Sequence, residues 1–381
     1  MIIKLGKVIS EYSVRNKADE DIPVYSVTND KGFCTNYFSK DVSSKDRTTY
    51  KIVPYGYFAY NPSRINVGSV DWQHYEKKVI VSPLYVVFYV DEVIDQRYLL
   101  HYLKSDITLK FIKSNSAGSV RDNLKLSVLQ EFSINLRTKE EQYKIVNILD
   151  KVDLLISLYT EKLEKFDELT KSLFIEMFGD PISNPKEWKK KKFKNILTKI
   201  GSGATPQGGS ESYKEEGISL IRSMNVHNGR FESKDLAYID EKQAQKLDNV
   251  NIKENDVLIN ITGASVARCC IVPSDVIPAR VNQHVSVLRC SDMVNSIFLC
   301  YQIINDSYQN LLKKIGISGG ATREAITKKQ IEDLEVILPP LELQNKFANF
   351  VRGTDKSKLA VKKSLEELEI LKKSLMQKYF A

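Results

Sequence analysis

Histidine and cysteine are scarce in this 381-residue chain, with four and five copies, and neither type recurs at metal-ligand spacing. His74, His101, His227 and His284 are isolated from one another, and Cys34, Cys269, Cys270, Cys290 and Cys300 contain no Cys-x-x-Cys pair. Zinc ribbons and fingers repeat their ligands at short spacing, so that class is excluded and no metal site is expected. No stretch reaches the roughly 20 apolar residues that a membrane span needs. The best candidate, 79–90, contains Ser82 and Pro83 and reads as a strand. The first ten residues, MIIKLGKVIS, have no apolar core of the signal-peptide kind. Reduced thiols, a cytoplasmic location and no membrane partner are expected. A net charge of +8 is compatible with a polyanion but does not identify one.

Catalytic motifs are missing as well. GSGATPQGG (201–209) lacks the Gly-Lys-Ser/Thr of a phosphate loop. Asn61-Pro62-Ser63-Arg64 lacks the second proline and the aromatic residue of an amino-methyltransferase motif and reads as a turn ending a strand. No Ser/His/Asp or Cys/His arrangement suggests a nucleophile. No catalytic residue is assigned, and the chain is read as a non-enzyme.

What is present is a long helical pattern. Residues 138–178 run without Pro or Gly, with apolar residues at Ile145, Leu149, Val152, Ile156, Tyr159, Leu163, Phe166, Leu169, Leu173 and Met177. Steps of three and four make a coiled-coil seam, a rod of roughly 60 Å at 1.5 Å per residue. The stretch recurs at 340–381 under a shift of 202, pairing Glu140 with Glu342, Gln142 with Gln344, Asn147 with Asn349, Asp153 with Asp355 and Phe178 with Phe380. Gly118 and Arg121 match Gly320 and Arg323 at the same shift, upstream of the helices. Charged helices can match by heptad alone, but not with an in-register Gly-x-x-Arg before them. The chain is therefore an internal duplication. In the second copy Gly353, Thr354, Asp355 and Lys358 interrupt the seam.

Between the rods the composition is α+β. Thr49–Asn61 and Lys78–Val90 are β-branched and aromatic runs read as strands, and Gln96–Ser105 as a short amphipathic helix. At shifts near 200, 55–61 corresponds to 255–261, 82–88 to 282–288 and 96–105 to 296–305; 22–30 corresponds to 218–226 with Asn29 opposite Asn225. Gly179, Pro181 and Pro185 mark a linker. The expected order is a globular domain at 1–137, a spacer helix at 138–178, a linker at 179–188, a second globular domain at 189–339 and a second spacer helix at 340–381. Two antiparallel rods would relate the globules by a pseudo-two-fold axis.

This arrangement resembles the specificity subunit of type I restriction-modification systems. The resemblance covers essentially the whole chain. It rests on Trp188 with the following KKKKFKNIL, on GSGATPQGG and ISLIRSMNV, on NDVLINITGASVARCCIV (255–272), on ARVNQHVSVLRC (279–290), and on GGATREAITKKQIEDLEVILPPLELQNKF (319–347). It implies two α/β target-recognition domains, each reading one half of a bipartite sequence in double-stranded DNA, and helices that fix the spacing. It also implies methyltransferase subunits, two of them, docked on the helices, and a restriction/translocase subunit. S-adenosylmethionine, ATP and Mg would sit on those partners, with no cofactor on this chain. The first globule departs from the pattern: VRNKADEDI (14–22) stands where GSGATPQGG would be. Two other readings stay open: a coiled-coil scaffold without DNA specificity, and a stand-alone DNA-modifying enzyme.

Reading bases in the major groove calls for Arg, Asn, Gln and hydroxyl side chains on loops after strands. In the second globule the candidates are Arg222, Ser223, Asn225 and His227, then Thr262, Ser265 and Arg268, then Arg280, Asn282, Gln283 and His284. In the first they are Ser26, Thr28, Asn29 and Lys31, then Ser63, Arg64 and Asn66. Arg121 and Arg323 are shared by both copies. Shared residues cannot encode two different half-sequences, so these two are read as phosphate or scaffold contacts.

Overall fold

The computed structural model describes residues 1–35, 46–116, 123–317 and 324–380. The chain divides into two compact units, Met1–Glu161 with Lys362–Ala381, and Lys162–Val361. The division falls inside both long helices, so neither helix is a separate body.

Unit 1 begins with β1 (Ile2–Lys4), β2 (Ile9–Glu11), β3 (Ser26–Thr28), β4 (Gly32–Cys34), β5 (Lys51–Pro54) and β6 (Phe58–Tyr60). It continues with β7 (Val70–Trp72), β8 (Lys78–Val81), β9 (Val86–Val90), α1 (Gln96–Leu103), α2 (Asp106–Ser116), α3 (Leu126–Gln130), β10 (Ser133–Asn135) and the start of α4 (Lys139–Phe178). Its main sheet has the antiparallel order β2-β9-β6-β7. Both faces of that sheet are covered, and the period-two alternation of a strand sorts its residues between two cores. Phe58, Tyr60 and Phe88 face the helices, while Ala59 and Val87 face a smaller core with Val27, Phe33, Val53, Val79 and Val81.

Each apolar run expected to form one strand forms two. Thr49–Asn61 breaks at Tyr55-Gly56, where Gly56 takes φ +85° and the Tyr57 N–H returns to the Pro54 carbonyl at 3.2 Å. Lys78–Val90 breaks at Ser82-Pro83-Leu84, with the Tyr85 N–H donating to the Ser82 carbonyl at 3.0 Å. Proline cannot donate to a ladder, and a glycine at positive φ turns the chain out of it.

Unit 2 repeats the plan with β11 (Lys190–Lys192), β12 (Leu197–Ser202), β13 (Ile218–Ile221), β14 (Val226–His227), β15 (Arg230–Phe231), β16 (Ala237–Ile239), α5 (Glu241–Gln245), β17 (Val257–Asn260) and β18 (Cys269–Ile271). Then come β19 (Ala279–Val281), β20 (Val285–Cys290), α6 (Ser296–Ile303), α7 (Asp306–Ile317), α8 (Lys328–Asp333), β21 (Glu335–Ile337) and α9 (Leu341–Phe380). The sheet β12-β20-β17-β18 matches the unit 1 sheet strand for strand, and β11–β21 matches β1–β10. The parallel pairing Leu220↔Arg280 matches the bridge Val24↔Ile80.

One correspondence moves by a residue. Phe88 and Leu288 are equivalent, but Phe88 faces Phe58 whereas Leu288 faces Val257. Strand β6 therefore aligns with β17 at a shift of 199 rather than 200, which puts Phe58 and Tyr60 on the same core face as Val257 and Ile259. A one-residue slip reverses every side chain of a strand, so the core face decides the alignment.

The long helices carry matching buried stripes. In α4 the stripe is Ile145, Leu149, Val152, Ile156, Tyr159, Leu163, Phe166, Thr170, Phe174 and Phe178; it leaves the expected seam after Phe166, and Leu169 is 52% exposed. Steps of four replace alternating threes and fours there, the spacing of a straight helix lying on a globular core. Buried Thr170 is satisfied within the helix, its Oγ1 donating to the Phe166 carbonyl at 2.8 Å. The stripe of α9 repeats this 202 residues on, with Lys358 and Lys372 in the places of Ile156 and Thr170. Those interruptions are ion-paired: Lys358 with Asp167, and Lys372 with Asp153 at 2.6 Å. Early α4 meets late α9 in unit 1, and late α4 meets early α9 in unit 2, so within each unit the helices run antiparallel.

The same side chain joins helix to globule in both units. Gln142 is fully buried; its Oε1 accepts from the Asp95 N–H at 2.7 Å, and its Nε2 donates to the Val93 and Arg137 carbonyls at 3.0 and 2.9 Å. Gln344, also fully buried, accepts from the Asn295 N–H at 2.8 Å and donates to the Met293 and Pro339 carbonyls at 3.3 and 2.8 Å. Asp95 and Asn295 in turn cap α1 and α6, their carboxylate and amide oxygens accepting from the first-turn N–H groups.

The 179–188 segment is ordered rather than a loose linker. Gly179 ends α4 at φ +78°, and the Trp188 indole N–H donates to the Phe178 carbonyl at 3.0 Å.

Candidate nucleic-acid interface

In unit 2 three loops converge at one end of the main sheet. β12 leads into Gly203-Ala204-Thr205, β17 into Ile261–Arg268, and the Asn282-Gln283-His284 turn feeds β20. Backbone bonds tie them together: the Gly203 N–H donates to the Asn282 carbonyl at 3.1 Å, and the Ile261 N–H to the His284 carbonyl at 2.9 Å. The glycine is required here, since a Cβ on Gly203 would lie 1.8 Å from the Val281 carbonyl oxygen. Side chains continue the connection. Thr205 Oγ1 donates to Gln283 Oε1, Gln283 Nε2 lies 3.0 Å from His284 Nε2, and His284 Nδ1 lies 2.6 Å from Thr262 Oγ1. Gln283 is exposed while His284 and Thr262 are half-buried. Ser265 and Arg268 stand on the same loop as Thr262, half-buried, and the Arg268 guanidinium makes no ion pair among the described residues. His284, one of the sequence candidates, and Thr205, which is not, complete this cluster. The signal that marks them is their place at strand ends beside glycine-rich chain.

Three unit 2 candidates, Arg280, Asn225 and Asn282, are buried and build the loops, while Arg222, Ser223 and His227 are half-buried. Arg280 is 7% exposed; its guanidinium donates to Asp248 and Asn251 side chains at 3.0 and 2.9 Å and to the Ala244 and Ala279 carbonyls. It occupies the place of Ile80 in unit 1, which explains the burial. Asn225 is fully buried, accepting from the Arg222 N–H at 3.0 Å and donating to the Glu232 carbonyl at 2.9 Å. Asn282 is 5% exposed and its Oδ1 accepts the His284 N–H at 3.0 Å. Arg222 lies over the Tyr213 ring at 5.5 Å and donates to the Asp235 carbonyl. The Ser223 carbonyl receives the Asn260 amide at 2.9 Å, and the His227 ring bonds the Met224 carbonyl at 3.1 Å.

Unit 1 has the corresponding end of its sheet, made by Asn61–Gly68 and the Ser82-Pro83-Leu84 turn, with the β3–β4 hairpin beside them. The Asn61 amide oxygen accepts from the Ser63 N–H and Oγ at 3.2 and 2.9 Å, closing a turn that exposes Ser63 and Arg64, with Asn66 half-buried. Ser69 Oγ donates to the Val27 carbonyl at 2.6 Å and ties this loop to the hairpin. Asn29 and Lys31 are exposed at the hairpin tip and Ser26 is half-buried at its base. Thr28 is 5% exposed and its Oγ1 accepts the Lys31 N–H at 3.1 Å, so it shapes the tip from within. Buried Asp71 anchors the other strand, accepting the Phe33 N–H at 3.0 Å; burial raises its carboxyl above the usual range, against the lowering effect of that bond. Arg121 and Arg323 lie outside the described residues.

A family model for the type I restriction modification DNA specificity domain matches residues 2–167 and again 185–370. The chain belongs to that family. It is a specificity subunit of a type I restriction-modification system, with the domain present twice. It is 22% identical over 315 residues to the type I restriction enzyme MjaVIII specificity subunit of Methanocaldococcus jannaschii, covering 79% of this chain and 73% of that one. It is 26% identical over 300 residues to the MjaIX specificity subunit of the same organism, covering 74% and 67%. The fold is shared with the solved S subunit of a type I system from M. genitalium, at a TM-score of 0.60 and 16% identity, covering 100% of this chain and 96% of that one. A chain from a solved type I system described for its assembly and conformational transition matches at a TM-score of 0.59 and 19% identity, covering 100% and 97%. Among the described residues no group of three His, Cys, Asp or Glu is placed to hold a metal, and no helix is long and apolar enough to cross a membrane.

Proposed function

We propose that this specificity subunit is a non-catalytic reader of bipartite double-stranded DNA, each unit reading one half-sequence through the loops at the end of its main sheet. The observation that carries this reading is the contrast within the duplication. The frame is preserved to the level of Gln142 and Gln344, while the strand-end loops differ in most of their outward side chains. Both ends present a hydroxyl and an arginine, but unit 1 adds Asn29 and Lys31 at its hairpin tip and unit 2 adds Gln283 at the turn before β20. Two readers on one frame are what an asymmetric split sequence requires. Binding both halves at once raises the affinity of each through effective concentration.

The helices α4 and α9 set the gap between the half-sequences, since each is unbroken over 40 residues and contributes to both units. They also dock the methyltransferase subunits, two per chain to match the duplication. Methyl transfer from S-adenosylmethionine belongs to those partners, and ATP- and Mg-dependent cleavage to a restriction/translocase subunit. The complex works in the cytoplasm.

The test is a methylation map of DNA from cells co-expressing this chain with the methyltransferase subunit encoded beside it. A split motif that vanishes when this chain is omitted supports the reading. Methylation that is unchanged without it makes the chain a scaffold. A one-turn insertion in α4 should then alter the tolerated gap and leave both half-sequences as they were; an unchanged gap removes the spacer role.

A further inference from the structure

The Asn282-Gln283-His284 turn couples one exposed amide to a fixed hydrogen-bond frame. Gln283 Oε1 accepts from Thr205 and Nε2 meets His284 Nε2 at 3.0 Å. For the amide to donate there, His284 Nε2 must be unprotonated. The imidazole proton on Nδ1 then donates to Thr262 Oγ1 at 2.6 Å. With the amide turned over, the His284 Nε2–H donates to the amide oxygen and the Thr262 hydroxyl to Nδ1, so the frame is satisfied either way. A primary amide has two N–H donors and an oxygen with two lone pairs. The frame uses one of each and leaves one N–H and one lone pair on an exposed side chain. That pair complements the major-groove edge of adenine, whose N6 amine donates and whose N7 accepts.

We infer that Gln283 is the adenine-reading side chain of unit 2, held in place by Thr205 and His284. The inference rests on the proposed DNA-reading role of this loop cluster and names one base contact within it. Two observations support a reader over a structural clip. The turn's neighbours Arg280 and Asn282 are consumed inside the fold, so Gln283 alone of this segment faces out. The matching turn of unit 1 is Ser82-Pro83-Leu84, where Pro83 takes the place of Gln283 and Leu84, 80% exposed, that of His284; neither side chain has a polar group to offer. The duplication has kept the turn and replaced its outward chemistry, as two different half-sequences demand. Pre-ordering matters physically, because a glutamine fixed before binding loses less rotamer freedom on contact than a mobile one.

The test compares methylation maps from cells carrying the methyltransferase subunit with the unaltered chain, Gln283→Ala, Thr205→Val or Thr205→Ser, with melting of each purified complex. Gln283→Ala should relax one A·T position in one half-sequence, on the order of 10- to 100-fold in preference, and leave the other half unchanged. Thr205→Val should weaken preference at that same position, and Thr205→Ser should retain it. A Gln283→Ala motif unchanged at every position overturns this inference alone, as does relaxation at a position that is not A·T. Loss of methylation at all sites with a lowered melting temperature assigns Gln283 to the fold and also overturns it. Absence of any chain-dependent motif in the unaltered protein overturns the parent reading and this inference with it.

Discussion

The two units join their helices to their sheets with different chemistry in the same places. In unit 2 the joint is four phenylalanines, Phe174, Phe178, Phe298 and Phe347, with ring centroids 4.8 to 5.7 Å apart. The equivalent positions in unit 1 are Met376, Phe380, Tyr98 and Ile145. Beside that joint unit 1 places an ionic cluster, Arg97 and His101 on Asp150 at 3.0 and 2.8 Å. Unit 2 has Ile297, Tyr301 and Arg352 there, with Tyr301 edge-on to Phe347 at 5.2 Å. In both units the late turns of one helix and the early turns of the other complete the joint. A duplicated frame can thus change its packing chemistry while the repeated hydrogen bonds of Gln142 and Gln344 are kept.

The contrast is sharpest for the aromatic joint. Phe174→Ala should destabilise unit 2 by about 3–5 kcal/mol, because a large cavity opens among rings that cannot collapse. Hydrogen exchange followed separately in the two units would show the loss, and an equal loss from Met376→Ala in unit 1 would remove the distinction. Next comes the shared feature. Gln142→Ala and Gln344→Ala should each cost about 1–3 kcal/mol, since each leaves one buried N–H and two carbonyls unpaired. The two losses should be alike in denaturant unfolding; a marked inequality would mean that the repeated bonds are not energetically equivalent.

Gly203→Ala should cost about 1–3 kcal/mol and free the 203–209 loop from the 282–284 turn, because its Cβ would meet the Val281 carbonyl. Proteolysis restricted to that loop would report it, and wild-type resistance would show that the strand end can shift. The smallest expected effect is pH-dependent. Burial raises the Asp150 carboxyl, but His101 and then Arg97 outweigh it and hold the group below its ordinary value. The stabilisation is present above the unfolded carboxyl value of about 3.9 and is lost as pH falls through the lower folded value. Asp150 is partly exposed, so the effect is screened. Exchange at pH 3 against pH 5 should show the contact of α1 with α4 in unit 1 loosening on acidification below about pH 4, and Asp150→Asn should remove that pH dependence at this contact.

Much of the frame was legible in the sequence because it is periodic. The 202-residue shift and the apolar steps of the helices located α4 and α9, and the short helix at 96–105 reappeared 200 residues later. The strands were located but not their breaks or their register, since a shift of 199 or 200 looks equally good until the core face is known. Ile80 and Arg280 show why the site was harder. An arginine in a strand reads as exposed unless one knows that Asp248, Asn251 and the Ala244 carbonyl surround it. Asn225 is likewise a polar residue in a loop, and only its bonds to Arg222 and Glu232 show that it is internal.

The sequence by itself determined the duplication, the long helices, the absence of catalytic and metal motifs and the family, because these are properties of order, spacing and residue type. Tertiary structure alone decided which of the polar loop residues face outward. It consumed Arg280, Asn225 and Thr28 in building loops, and it brought Thr205, Thr262, Gln283 and His284 together from three separate segments. The reason is physical: a buried polar side chain must be satisfied by neighbours distant in sequence, and only the folded chain says where those neighbours are.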